Sequence, residues 1–308
     1  SPREDVVRIT ATLRDTGADL VIALGGGSVC DATKAACLAL ANDVCTVDDI
    51  DRIRVGNPVA PATLRYISIP TTLSAGEYTA IAGVTDERIP RKEALIHPSL
   101  APDVVILDAA MTVATPPRLY FGTGIRAVDH AVETWCSINV TPLTEASSLH
   151  ALRILPQALA KSKADPDDLD TRLACLIGAW LSIQGVATGV DLGASHGIGH
   201  VLGGTAGMPH GETSCVMLPH VLRYNNAVNG ERQAILAAAM GDPDTSAADQ
   251  IQALVASLDL PGRLRDAGVS KEILPTIAEE SMLDMWIPTN PRTIAGPQDV
   301  LPLLQAAW

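Results

Sequence analysis

Residues 19 to 41 read DLVIALGGGSVCDATKAACLALA: a short β-branched run, three glycines and a serine, then apolar residues at helical spacing. A strand that turns through glycine directly into a helix commits this part of the chain to an α/β arrangement, since parallel strands need helical crossovers. Gly25, Gly26 and Gly27 carry no side chain, so backbone N–H groups at the start of the helix can approach an anion closely, and the helix dipole favours one there. The pyrophosphate of a dinucleotide is the candidate ligand, with Ser28 as an added donor. The competing reading is a purely structural turn, because the pattern is not G-x-G-x-x-G.

Four more apolar runs of strand length follow, RYISIP (65–70), TAIAGVT (79–85), EALIH (93–97) and DVVILD (103–108), each bounded by Pro, Gly or charge. PTTLSAGE (70–77) ends one of them, and ligands of open α/β sheets sit beyond the carboxyl ends of strands, so Thr71 and Thr72 suit a phosphate or ribose. An ordinary Pro-led turn would look the same. Lys92, beside Arg91, is a candidate charge opposite a phosphate. After ATPP (114–117) the texture changes to long helical patterns with no strand. A chain of 308 residues exceeds what one core usually serves. The expectation is an α/β, Rossmann-like dinucleotide-binding domain over 1–114 and an all-helical catalytic domain over 115–308.

Charge narrows the partners. A formal net charge of -13, with RIPRK (88–92) as the longest basic cluster, excludes nucleic acid. No apolar stretch reaches the ~18 residues a membrane span requires. The six cysteines are scattered without a CxxC pair, which reads as free thiols in a reducing cytoplasm.

Chemistry concentrates in SHGIGHVLGGTAGMPHGE (195–212). His196 and His200 are four apart and share a helix face, and His210 returns after a glycine turn. His130 lies in GIRAVDHAVET. Imidazoles converging from different helices make a transition-metal site or a proton relay beside a carbonyl. His97, His150 and His220 have no such company and read as structural.

Together, GGGS, IPTT, GIRAVDHAVE and HGIGHVLGGTAGMPHGE, in that order, resemble the iron-containing (group III) alcohol dehydrogenase superfamily. The maleylacetate reductase branch is similar through GAWLSIQG and PHGETSCVMLPH. The resemblance implies a nicotinamide cofactor, NAD or NADP, and an active site in the cleft between an α/β and a helical domain, usually in a homodimer. It implies that Gly25, Gly26, Gly27 and Ser28 hold the pyrophosphate and that Thr71, Thr72 and Lys92 make further cofactor contacts. It also implies that His130, His196 and His210 are three of four ligands to iron or zinc, with His200 near the nicotinamide.

Two departures from the family pattern matter. The fourth ligand position, four residues before His130, is Arg126, whose guanidinium cannot ligate a cation and stays charged. Asp129 does not replace the missing carboxylate beside His130, because adjacent helical residues point about 100° apart. The family also carries a β-hairpin and a first βαβ unit ahead of the GGGS strand, about sixty residues that this reading does not find.

The expected function is therefore hydride transfer between a nicotinamide and a small alcohol, aldehyde or keto acid. Arg126 polarises the oxygen in place of a metal, and His196, His200 or His210 moves the proton. A three-histidine metal site on His130, His196 and His210 is the alternative to that arrangement. The narrower function is maleylacetate reductase. Rivals of another class are a lyase similar to dehydroquinate synthase and a chain that binds cofactor without catalysis.

Overall fold

The computed structural model describes residues 1–308 except Glu87, Ile89 and Pro90, and for Arg91 and Lys92 the backbone alone. The chain forms two compact units, Ser1–Ala114 and Thr115–Trp308.

The first unit contains α1 (Arg3–Thr16), β1 (Leu20–Gly25), α2 (Gly27–Ala41), β2 (Arg65–Pro70), β3 (Ile81–Asp86), β4 (Arg91–Ile96) and β5 (Val104–Val105). β1, β2 and β5 form a parallel sheet in that order, and β3 pairs antiparallel with β4 in a separate ribbon. The run DVVILD yields only a two-residue ladder with β2, from Ile67↔Val104 to Ser68↔Val105, although Ile106 N–H still donates to the Ser68 carbonyl at 2.9 Å. α1 stops at Gly17, whose φ of 60° is left-handed and costs glycine little. Its buried Val6 and Leu13 pack with Ala35, Leu38 and Ala39 of α2 and with Val84 and Leu95 of the ribbon. Lys34 of α2, wholly buried, donates to the Thr79 and Ile81 carbonyls at 2.6 and 3.0 Å and so ties the segment after β2 to the helix.

The second unit is helical: α3 (Pro117–Cys136), α4 (Pro142–Ala164), α5 (Leu169–Ser182), α6 (Gln184–Ala187), α7 (Ala194–Thr205), α8 (His210–Met240), α9 (Ala247–Ser257), α10 (Leu274–Ser281) and α11 (Pro297–Ala307). An α/β part followed by a helical part is the fold class the sequence leads one to expect. α3 is buried without a break from Tyr120 to Cys136, so every polar side chain on it must find a protein partner or remain unpaired. α8 crosses α3 so closely that a Cβ on Gly211 would stand 2.6 Å from the backbone carbon of Gly122. That approach brings His210 and Ser214 onto α3. Among the described residues no helix is long and apolar enough to cross a membrane, and all six cysteines are unpaired.

Candidate active site

In the first unit the two ligand-type motifs meet. Gly25 and Pro70 are register partners at the carboxyl ends of β1 and β2, and Thr71 N–H donates to the Gly25 carbonyl at 2.9 Å. A Cβ on Gly26 would lie 2.8 Å from Thr72 Cγ2, and one on Gly27 would lie 2.9 Å from Ser74 Oγ. Thr72 itself is buried and bonds Ser74 Oγ at 3.1 Å. α2 begins with no side-chain cap and no acidic residue in its first turn. The Gly26 carbonyl takes the N–H groups of Val29 and Cys30, while those of Gly27 and Ser28, at the very start of the helix, have no intrahelical acceptor. A helix start with open N–H donors and no side-chain cap is the kind of place that can take a phosphate. Lys92 pairs with Thr85 through its backbone, and its side chain lies outside the described residues.

In the second unit α3 presents Arg126, Asp129, His130 and Glu133 one helical turn apart, all buried. Glu133 caps α7 from outside. Its two oxygens accept the N–H groups of Gly193, Ser195 and His196 at 2.9, 2.8 and 3.3 Å, and Nδ1 of His196 at 2.8 Å. A carboxylate there complements the helix dipole and answers the donors that a helix start leaves open. That contact engages Nδ1 of His196 and leaves Nε2 as the other edge of the ring. That nitrogen is buried without a hydrogen-bond partner among the described residues.

Asp129 does not join His130. Its Oδ2 accepts from Ser195 Oγ at 2.7 Å and Ser214 Oγ at 2.6 Å, and lies 3.5 Å from His196 Nδ1. One donor atom each from Asp129, Glu133 and His196 lies within 4.8 Å of the others, a trio that could hold a metal ion in principle. Asp129 Oδ2 and both Glu133 oxygens are engaged by the serines and by α7, while Asp129 Oδ1 and His196 Nε2 are buried without a hydrogen-bond partner among the described residues.

Arg126 is found elsewhere than its helical neighbour suggests. The guanidinium does not bond His130: Nη2 meets Nε2 of His210 at 2.8 Å, Nη1 donates to Ser214 Oγ at 3.0 Å, and Asp129 Oδ2 is 3.8 Å away. Nε has no partner among the described residues. The four histidines form two stacked pairs, His130 on His196 with ring centres 4.9 Å apart and His200 on His210 at 5.5 Å. His200 also gives Nδ1 to Asp284 at 2.8 Å and packs against Trp286.

Burial dominates the electrostatics. It lowers the guanidinium of Arg126 from its usual value, opposed by Asp129, Glu133 and Asp284. Burial and the nearby Arg126 hold His130 and His196 well below the ordinary imidazole value, so both are neutral at neutral pH. Burial pushes the Asp129 and Glu133 carboxyls up, against the pull of Arg126 on the first and of the α7 N–H groups on the second. Glu133, Asp129, Ser214, Asp284 and Trp286 are members of this cluster that sequence reading did not select. The spacing V-D-H-A-V-E could have pointed to Glu133, one turn beyond Asp129 on the same helix.

The sequence matches two family models, described as "Iron-containing alcohol dehydrogenase" over residues 1–109 and "Fe-containing alcohol dehydrogenase family, C-terminal" over residues 121–308. Lactaldehyde reductase of Escherichia coli (strain K12) is 32% identical over 305 residues, which cover 96% of this chain and 78% of that protein. NAD-dependent methanol dehydrogenase of Bacillus methanolicus is 30% identical over 301 residues, covering 94% and 77%. The crystal structure of maleylacetate reductase from a Rhizobium species superimposes with a TM-score of 0.83 at 30% identity, over 100% of this chain and 79% of that one.

Proposed function

The chain belongs to the iron-containing alcohol dehydrogenase family, and from that premise we propose that it transfers a hydride between a nicotinamide dinucleotide and a small alcohol or carbonyl compound, with Arg126 acting where the family's name places a metal. The observation that carries this reading is the buried guanidinium 2.8 Å from His210 Nε2.

The glycine cradle fits the dinucleotide: N–H groups at Gly27 and Ser28 take the pyrophosphate, Gly25 and Gly26 allow the approach, and Thr71, Thr72 and Lys92 add contacts. The nicotinamide, when bound, supplies or accepts the hydride. NAD is the nucleotide named for the Bacillus methanolicus relative, and we propose it here in preference to NADP. A homodimer working in the cytoplasm belongs to the same proposal, and sedimentation equilibrium reads the oligomer.

The set His130, His196 and His210 does not fit iron or zinc. A divalent ion on His130, His196 and His210 would need the His210 edge that faces Arg126, and it would sit beside a permanent cation. In this reading the residues of the chain carry the chemistry. Arg126 stabilises the negative charge that grows on the substrate oxygen, in a buried place where a fixed donor is worth most. His196, kept neutral and in one tautomer by Glu133, takes the hydroxyl proton at Nε2 during oxidation and returns it during reduction. His200, which is less buried, passes it outward, while His210 holds the Arg126 guanidinium through Nε2.

The unpartnered Nε of Arg126 favours a second reading, a keto-acid substrate whose carboxylate accepts from the guanidinium. Assaying NADH oxidation with lactaldehyde, longer aldehydes and maleylacetate separates the two. The expected result is turnover that survives a chelator and falls about 10²- to 10³-fold in Arg126→Ala. Activity abolished by chelator and restored by a divalent ion would overturn the role given to Arg126.

A further inference from the structure

The turn after α10 carries none of the motifs that mark the site, yet it grips His200. One oxygen of Asp284 accepts from His200 Nδ1 at 2.8 Å, and the other accepts the Trp286 N–H at 3.0 Å. The Asp284 N–H itself donates to the Ser281 carbonyl at 3.0 Å, so the turn is closed on the end of α10. The Trp286 ring packs 4.9 Å from that of His200 and stands edge-on to His196 at 5.5 Å, while the His200 and His210 rings lie within 5° of parallel. The Asp284 side chain is 12% exposed and that of His200 33%. A carboxylate shielded in this way makes a strong charge-assisted bond to an imidazole N–H.

We propose that Asp284 is the positioning residue of His200: it keeps the ring proton on Nδ1 and leaves Nε2 as the acceptor edge for the proton that the reaction releases. The inference rests on the hydride-transfer reading above. A neutral imidazole has two tautomers of similar energy, and the group bonded to one nitrogen decides which nitrogen can accept. Without Asp284 the ring can turn or change tautomer, and the path from the buried His196 towards solvent loses its acceptor.

Asp284→Asn tests this with little change of shape. The asparagine oxygen can still accept from Trp286 N–H, while its amide N–H₂ faces His200 and donates to Nδ1, which forces the proton to Nε2. Nitrogen-15 spectra of the histidines, with His200 assigned through His200→Gln, are expected to show the Nδ1–H form in the parent protein and the Nε2–H form in the variant. kcat is expected to fall about 10- to 100-fold with the Kd for NADH unchanged, and the same substitution made in His200→Gln is expected to cost nothing further. An unchanged tautomer with unchanged kcat would overturn the proposal, as would an equal loss in the His200→Gln background. If the parent protein reduces no carbonyl compound with NADH, the hydride-transfer reading fails, and the tautomer alone still decides the role of Asp284.

Discussion

Arg126 is a cation that cannot leave its proton behind when it is buried, so its neighbours must adjust to it. Ser214 and His210 present acceptors, Asp129 offers a carboxylate 3.8 Å away, and His130 and His196 are kept neutral by burial and by the same charge. Lysine at this position would keep the charge and lose the forked geometry. Arg126→Lys is therefore expected to recover less than a tenth of the activity lost in Arg126→Ala, roughly what a missing bidentate contact costs, and steady-state kinetics on both variants check it. The depressed histidines also make a pH prediction. A group whose folded-state pKa lies below its unfolded value lends stability that is present above the unfolded value and is lost on acidification. Below about pH 6.5 the unfolded chain takes up protons that folded His130 and His196 refuse. Asp129 and Glu133, whose carboxyls burial raises, act in the opposite sense over the same range. The readout is therefore the difference between proteins: between about pH 7 and pH 5 His196→Gln should lose less stability than the parent protein, and parallel melting curves would show that His196 contributes nothing.

Secondary-structure elements show where local sequence suffices and where it does not. The strand, glycine turn and helix of residues 19–41 are legible because each step is decided by neighbours: β-branched residues, absent side chains, then helical period. His196 and His200 are legible as one face of α7 for the same reason. The cap that Glu133 places on α7 is not, since the partners stand 60 to 63 residues apart and only the packing of α3 brings them together. Asp284 is 84 residues from His200, and Arg126 is 84 from His210. Helical spacing told which residues share a side of α3, but not that the guanidinium would pass His130 for α8. β5 is short for a related reason: hydrophobic runs show that a strand is possible, while the ladder's length depends on the partner's register. The crossing of α3 and α8 gives a sharp test. Gly211→Ala places a methyl 2.6 Å from a backbone carbon, a clash that overpacking data put at about 1–3 kcal/mol, and chemical denaturation should show that loss. On β1, Leu20, Ile22 and Leu24 line one face at 42, 55 and 52% exposure. Parallel sheets normally bury both faces, so Ile22→Lys should reduce binding of a hydrophobic dye without lowering the melting temperature.

In the molecule as a whole the work is divided between two compact units. Ser1–Ala114 offers the glycine cradle and Thr115–Trp308 the arginine, the histidines and their carboxylates. Changes in one should then leave the other's task intact. Gly26→Val, whose side chain would meet Thr72, should raise the Kd for NADH at least tenfold and leave the histidine tautomers of the second unit as they are. If Arg126 does the work of a metal in this member of an iron-containing family, catalysis does not need the ion, and metal content measured on protein of known activity decides the matter. Brisk NADH oxidation with a carbonyl substrate is expected in preparations holding far less than one transition-metal ion per chain, unaffected by added iron or zinc. Activity that rises in proportion to bound metal, up to one ion per chain, would return the role to the ion and take it from Arg126.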